Sequence, residues 1–191
     1  MKGQPSLFVV GGTRSGKSAL ALRWAKAQGE RRLFVATLRV CDEEMAKRVA
    51  RHRAERGSDW EVCEEPLTLE EALKARLDQG TPDVLLLDCL SSWIANLLAA
   101  ELAASEILQR VRSLGAFLCT APCAVALVSL ETGLGIVPVS ALGRLYRDIL
   151  GESNQILAKC FTNVLFVACG LPLVLKGHLP AELMGQSTEE H

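Results

Sequence analysis

Eight residues, GGTRSGKS at 11–18, constrain this chain more than any others. They fit G-x-x-x-x-G-K-[ST], follow the apolar run LFVV (7–10) and open the helical pattern SALALRWAKA. A strand that turns through glycines into a helix start is a cradle for phosphate. The glycines let the backbone approach the oxygens, and the amide N–H groups and helix N-terminus present positive potential. In such a loop Lys17 reaches the β- and γ-phosphates and Ser18 ligates Mg²⁺. The motif therefore predicts a nucleoside triphosphate as ligand.

It also predicts an architecture. Continuous apolar runs at 7–10, 33–37, 84–88, 124–130 and 164–169 read as strands buried on both faces, as in a parallel sheet. Segments 17–28, 42–56, 68–78, 91–115 and 140–160 have helical length and periodicity. WEVCEE (60–65) reads as a short extra strand, and LPLVLKG (171–177) as the partner of 164–169 in a hairpin. The alternation indicates an α/β fold: a three-layer, RecA-like P-loop NTPase domain with a mostly parallel central sheet and a C-terminal antiparallel edge hairpin. With 191 residues and 49% hydrophobic content the expectation is a single domain over 1–191, its core at about 7–177 and the polar tail MGQSTEEH loose.

Composition narrows the function. A formal net charge of −1 gives no basic field for nucleic acid, so no nucleic-acid partner is expected. The opening MKGQPSLFVVGG has four consecutive apolar residues, too few for a signal-peptide core, and APCAVALVSL falls short of a membrane span. The seven cysteines are odd in number and form no CxxC pair, which reads as buried free thiols in a reducing cytoplasm.

Three further places carry candidate chemistry. Asp88 ends the run VLLL, where a P-loop site keeps its second acidic residue; it serves there, with Mg²⁺ as one option, or caps the next helix. Glu131 leaves a buried strand into a glycine turn, either toward a ligand or toward solvent. The third is VARHRAERG (49–57). Asp42 and the acids after it open a helix that Gly57 follows, and Met45, Val49 and His52 share one face. Lys47, Arg48, Arg51, Arg53 and Arg56 surround His52 against the single Glu55. Cations keep an imidazole neutral and hold phosphates. His52 therefore reads as a nucleophile, as part of a phosphate-binding helix, or as the border of an ordinary amphipathic one.

The chain resembles the bifunctional adenosylcobinamide kinase/adenosylcobinamide-phosphate guanylyltransferases of cobalamin biosynthesis over about residues 7–177. The resemblance rests on GGTRSGKS, VATLRVCDEEMAKRVARHRAERGSDWEVCEEP, VLLLDCLSSWIANLL, SLETGLGIVP and RLYRDILGESNQILA. It implies phosphoryl transfer from ATP or GTP to adenosylcobinamide, then GMP transfer from GTP to adenosylcobinamide phosphate through a GMP–histidine. His52 stands where that histidine stands, with Lys17 as its catalytic companion. Family nucleotide contacts map onto Gly11, Gly12, Thr13, Arg14, Ser15, Gly16, Lys17 and Ser18, onto Thr37, Leu38 and Arg39, onto Arg53, Ala54, Glu55 and Arg56, and onto Glu64 and Asp88. Either Glu64 or Asp88 would read guanine, and Ser18, with or without Asp88, would hold Mg²⁺. A homotrimer is the assembly the resemblance implies. Departures exist: Arg51 precedes the histidine where some relatives have a second one, and some carry glutamate at Asp88 and asparagine at Leu130.

Overall fold

Each apolar run read as a strand becomes one, with packed cores on both sides of the sheet. The computed structural model describes residues 4–39 and 57–184; the helix expected over 42–56 and residues 185–191 of the tail lie outside them. The strands are β1 (Ser6–Gly11), β2 (Arg32–Ala36), β3 (Glu61–Glu64), β4 (Val84–Asp88), β5 (Ala124–Leu130), β6 (Asn163–Ala168) and β7 (Leu171–Lys176). They form one sheet in the order β3-β2-β4-β5-β1-β6-β7. All neighbours pair in parallel except β6 with β7, the expected edge hairpin. Cys169 (φ 53°) and Gly170 (φ 78°) make its two-residue turn, and positive φ at both positions matches the twist of the strands they join.

Helices α1 (Lys17–Lys26), α2 (Leu69–Gln79), α3 (Leu90–Ala99), α4 (Ala104–Cys119) and α5 (Ala141–Cys160) cover the sheet. Alternate strand residues sort into two cores. Phe8, Val10, Leu33, Leu85, Leu87 and Leu127 pack beneath α2 to α5. Leu7, Val9, Leu86, Ala126, Val128 and Leu165 meet Leu20, Ala21 and Trp24 of α1 on the other side. Trp24 is 2% exposed, so Trp24→Ala would cost about 3–5 kcal/mol in lost contacts and cavity.

One expected element divides. The helical pattern over 91–115 is two helices, α3 and α4, broken at Glu101. Glu101 takes φ 61°, its N–H donates to Leu98 O (3.0 Å), and Leu102 N–H donates to Leu97 O (3.2 Å). These are the paired bonds of a Schellman stop, which normally carries glycine at the left-handed position. The break pays out enough chain for Leu102 to fold back onto the core. The thiols also differ from expectation. The six described cysteines are free, but Cys119 and Cys169 are exposed and only Cys123 is fully buried. Their runs end at helix and strand termini, where the last residue meets solvent.

Candidate nucleotide-binding site

Parallel strands deliver their C-terminal ends, and the loops that follow, to one edge of the sheet. Register aligns those ends closely: Ala36 pairs with both Glu64 and Asp88, and Gly11 pairs with Leu130 and Val167. The phosphate loop, Thr37, Glu64, Asp88 and Glu131 therefore share this edge. Asp88 is two strands from Gly11 and Glu64 is four.

The loop itself is tightly built. Arg14 (φ 57°) and Gly16 (φ 94°) lie in the left-handed region, a pattern that turns amide groups into a concavity. A Cβ on Gly11 would stand 2.5 Å from Val167 O and 2.7 Å from Ser15 Oγ, so the strand end accepts only glycine. A Cβ on Gly12 would meet nothing within 4 Å among the described residues. Behind the loop, Gly170 N–H donates to Ser15 O at 2.9 Å, which backs the cradle with the β6–β7 turn. Lys17 is 7% exposed, and its Nζ donates to Gly12 O at 3.0 Å across the loop mouth. The Ser15 hydroxyl is buried and has no hydrogen-bond partner among the described residues. Thr13 and Arg14 are exposed, and Ser18 is half-buried in the first turn of α1.

Past β2, Thr37 is fully buried, Leu38 half-buried and Arg39 exposed. Thr37 Oγ1 donates to Cys89 O (2.7 Å) and accepts from Cys89 N–H (3.1 Å), fastening the β2 exit to the β4 exit. Cys89, not Asp88, is the N-cap residue of α3, so the capping role open to Asp88 is not the one it takes. Burial, then the adjacent Asp88 charge, raises the Cys89 thiol above its usual value. Glu131 is half-buried. Its N–H donates to Gly11 O (3.1 Å) and its carboxylate accepts from Gly133 N–H, so its turn is bonded to the strand that bears the phosphate loop. His52, Arg53, Ala54, Glu55 and Arg56 lie outside the described residues.

Two amides that the sequence reading passed over hold this edge together. Asn154 of α5 accepts from Ser129 Oγ (2.7 Å) and donates to Leu130 O (3.0 Å), fixing the end of β5. Asn96 of α3 donates to Thr37 O (2.7 Å) and Pro66 O (3.1 Å). The signal for Asn96 was present: an amide amid the apolar run WIANLL needs partners.

Comparison with known proteins decides what kind of edge this is. Residues 7–175 match the family model described as cobinamide kinase / cobinamide phosphate guanyltransferase. The chain belongs to this family. Its two activities make the family one of bifunctional transferases, and the phosphate loop supplies the nucleotide cradle both need. Among relatives, the bifunctional adenosylcobalamin biosynthesis protein CobP of Pseudomonas aeruginosa is 41% identical over 170 residues, covering 89% of this chain and 96% of its own. The bifunctional adenosylcobalamin biosynthesis proteins CobU of Escherichia coli and Salmonella typhimurium are 34% and 35% identical over 185 residues, covering 89% of this chain and 99% of theirs. Among solved structures, a prototypical ATPase from the type III secretion system of pathogenic bacteria is similar in fold (TM-score 0.55, 12% identity). That match covers 89% of this chain and 56% of the ATPase. It agrees with a P-loop ATPase architecture and says nothing of substrate.

Proposed function

We propose that this enzyme phosphorylates adenosylcobinamide with ATP or GTP. It then transfers GMP from GTP to adenosylcobinamide phosphate through a GMP–His52 intermediate, giving adenosylcobinamide-GDP and pyrophosphate. The observation that carries the reading is the union of a complete phosphate loop with Glu64 and Asp88 on one sheet edge, in a chain of this family.

Neutral His52 attacks the α-phosphorus of GTP. An N–P bond forms, the bond to the bridging oxygen breaks, and pyrophosphate leaves carrying the electron pair. A phosphate oxygen of the acceptor then attacks the same phosphorus, and the N–P bond breaks. Lys17 and the loop amides hold the charge that gathers on the pyrophosphate, and Arg53 and Arg56 supply cations beside the histidine. In the kinase step the same loop holds the γ-phosphoryl, and positioning supplies most of the acceleration. Strands lie about 4.8 Å apart, which puts Asp88 roughly 10 Å and Glu64 roughly 19 Å from the phosphate-loop strand. That spacing favours Asp88 near the phosphates and Glu64 at the guanine N1–H and N2–H₂. Ser18 and Asp88 are hard oxygen donors suited to Mg²⁺, and the ion, when bound, offsets triphosphate charge. Thr37, Leu38, Arg39, Ala54 and Glu55 complete the nucleotide contacts.

The reading extends to a cytoplasmic enzyme built as one domain, with no nucleic-acid partner, that assembles as a homotrimer. Support for assembly comes from apolar residues left exposed on β7 (Leu171, Leu173, Leu175) and on the loop after β5 (Leu134, Ile136, Val139). Among the described residues no helix is long and apolar enough to cross a membrane.

The test uses GTP labelled at the α- or the γ-phosphate, with Mg²⁺ and no acceptor. Label from the α-position alone, acid-labile, base-stable and absent in His52→Ala, is the expected result. Folded, GTP-binding protein that takes up no label would instead leave a P-loop kinase without a covalent intermediate. Slow GTP hydrolysis indifferent to a corrinoid acceptor would point to a switch module.

A further inference from the structure

We propose that Asn96 is a positioning residue for the guanine end of the nucleotide site. This rests on the reading of Glu64 given above. Glu64 is the last residue of β3 and Ala36 the last of β2, so the ladder that orders both strands ends beside them. Beyond that point the two exits are held from α3. A carboxamide nitrogen carries two hydrogens, and Asn96 spends one on each exit: Nδ2 donates to Thr37 O at 2.7 Å and to Pro66 O at 3.1 Å. Trp93 Nε1, one turn earlier, donates to Leu67 O at 2.9 Å. Glu65 N–H continues the pattern to Ala36 O at 2.9 Å.

The bonds define a strut. α3 starts directly after Asp88 and Cys89, so it carries the placement of the β4 exit across to the exits of β2 and β3. The start of the Thr37–Arg39 segment and the chain just past Glu64 are thereby referred to one rigid element. A carboxylate that reads a base edge must be held to about half an ångström, and supporting bonds of this kind do that. Asn96 touches neither nucleotide nor acceptor; it acts mainly through Glu64, and through the start of the Thr37–Arg39 segment. The phosphate loop, four strands away on β1, has its own backing in Gly170 and does not depend on the strut.

The side chain is specific to this task. Leucine has nearly the same size and no donors. Aspartate keeps the shape but turns acceptors toward two carbonyl oxygens. Serine keeps a single donor.

The experiment measures binding of GTP and of pyrophosphate, each with Mg²⁺, by calorimetry. The proteins are wild type, Asn96→Leu, Asn96→Asp, Asn96→Ser, Glu64→Gln and Asn96→Leu/Glu64→Gln. Loss of the strut should weaken GTP about tenfold, the equivalent of one good hydrogen bond, and leave pyrophosphate within about twofold. Asn96→Asp should do at least as much, and Asn96→Ser about a third of it. In the Glu64→Gln background, Asn96→Leu should cost at most about threefold further, the share carried through Thr37, because the main group it positions has gone. Equal losses of GTP and pyrophosphate would overturn the proposal by making Asn96 a general stabiliser. So would a full tenfold loss that persists without Glu64. If Glu64→Gln weakens GTP and Asn96→Leu does not, the strut alone fails. If Glu64→Gln itself leaves GTP affinity unchanged, the guanine-reading role of Glu64 fails, and the strut falls with it. Should Asn96→Leu not fold, the aspartate and serine variants carry the same comparison.

Discussion

Gly11 and Gly12 are adjacent in sequence but glycine for different reasons, and alanine at each separates them. At Gly11 the added methyl would lie 2.5 Å from Val167 O, an atom of β6, and 2.7 Å from Ser15 Oγ. The hydroxyl can rotate away; the carbonyl belongs to a strand paired on both sides and cannot. Overpacking of this kind costs about 1–3 kcal/mol. In a domain of this length each kcal/mol moves the melting temperature by about 2–4 °C, so Gly11→Ala should melt roughly 2–12 °C lower without ligand. At Gly12 the methyl meets no atom of the described residues within 4 Å, and Gly12→Ala should melt within about 1 °C of wild type. What the methyl does obstruct is the approach of a phosphate oxygen to the loop. Loss of one charge-assisted bond, about 1.5–3 kcal/mol, should weaken GTP by about 10- to 150-fold. Thermal melts with and without GTP, together with calorimetric titration, read both quantities. A Gly12→Ala protein that melts normally and binds GTP normally would refute the assignment of this loop to phosphate. Equal melting temperatures for Gly11→Ala and wild type would refute the packing argument.

Other expectations concern the scaffold. Glu101→Gly should relieve a left-handed residue at a cost in unfolded-chain entropy, for a net gain of about 0.5–1 kcal/mol and a melting temperature about 1–4 °C higher; Glu101→Ala, still left-handed, should give no gain. Glu65 Oε1 accepts from Leu67 N–H and Thr68 N–H, both at 2.8 Å, and although burial pulls the other way these bonds hold its carboxyl below 4.5. A lowered folded value means the stabilisation is present above 4.5 and is lost as pH falls through the folded value. Glu65→Gln should therefore melt lower than wild type at pH 7, with the gap narrowing below 4.5; a constant gap would contradict the assignment. Asn154→Ala strips partners from Ser129 Oγ and Leu130 O and should cost about 2–4 kcal/mol in denaturant unfolding.

Much of the fold was legible because a parallel sheet writes itself into sequence. Runs such as VLLL and AVALV are apolar at every position since helices cover both faces, and the phosphate loop named the strand that leads into it. The stop at Glu101 was not legible, because glutamate carries no mark of the left-handed region and the apolar period runs through it. The carboxylates could be nominated one by one from strand ends, yet their separation follows from strand order, which no local pattern encodes. The apolar run around Asn96 showed that it needs partners, but which partners it and Asn154 take lies in chain remote in sequence, and only the topology brings them together.

The bond from Gly170 to Ser15 ties the first loop of the chain to a turn some 155 residues later. During synthesis the GKS motif emerges almost at once, but the wall behind it exists only after β6 and β7 have been made and paired. The cradle thus gains this backing late in synthesis despite its early motif, and a truncation before the edge hairpin should keep the signature while losing the support behind it.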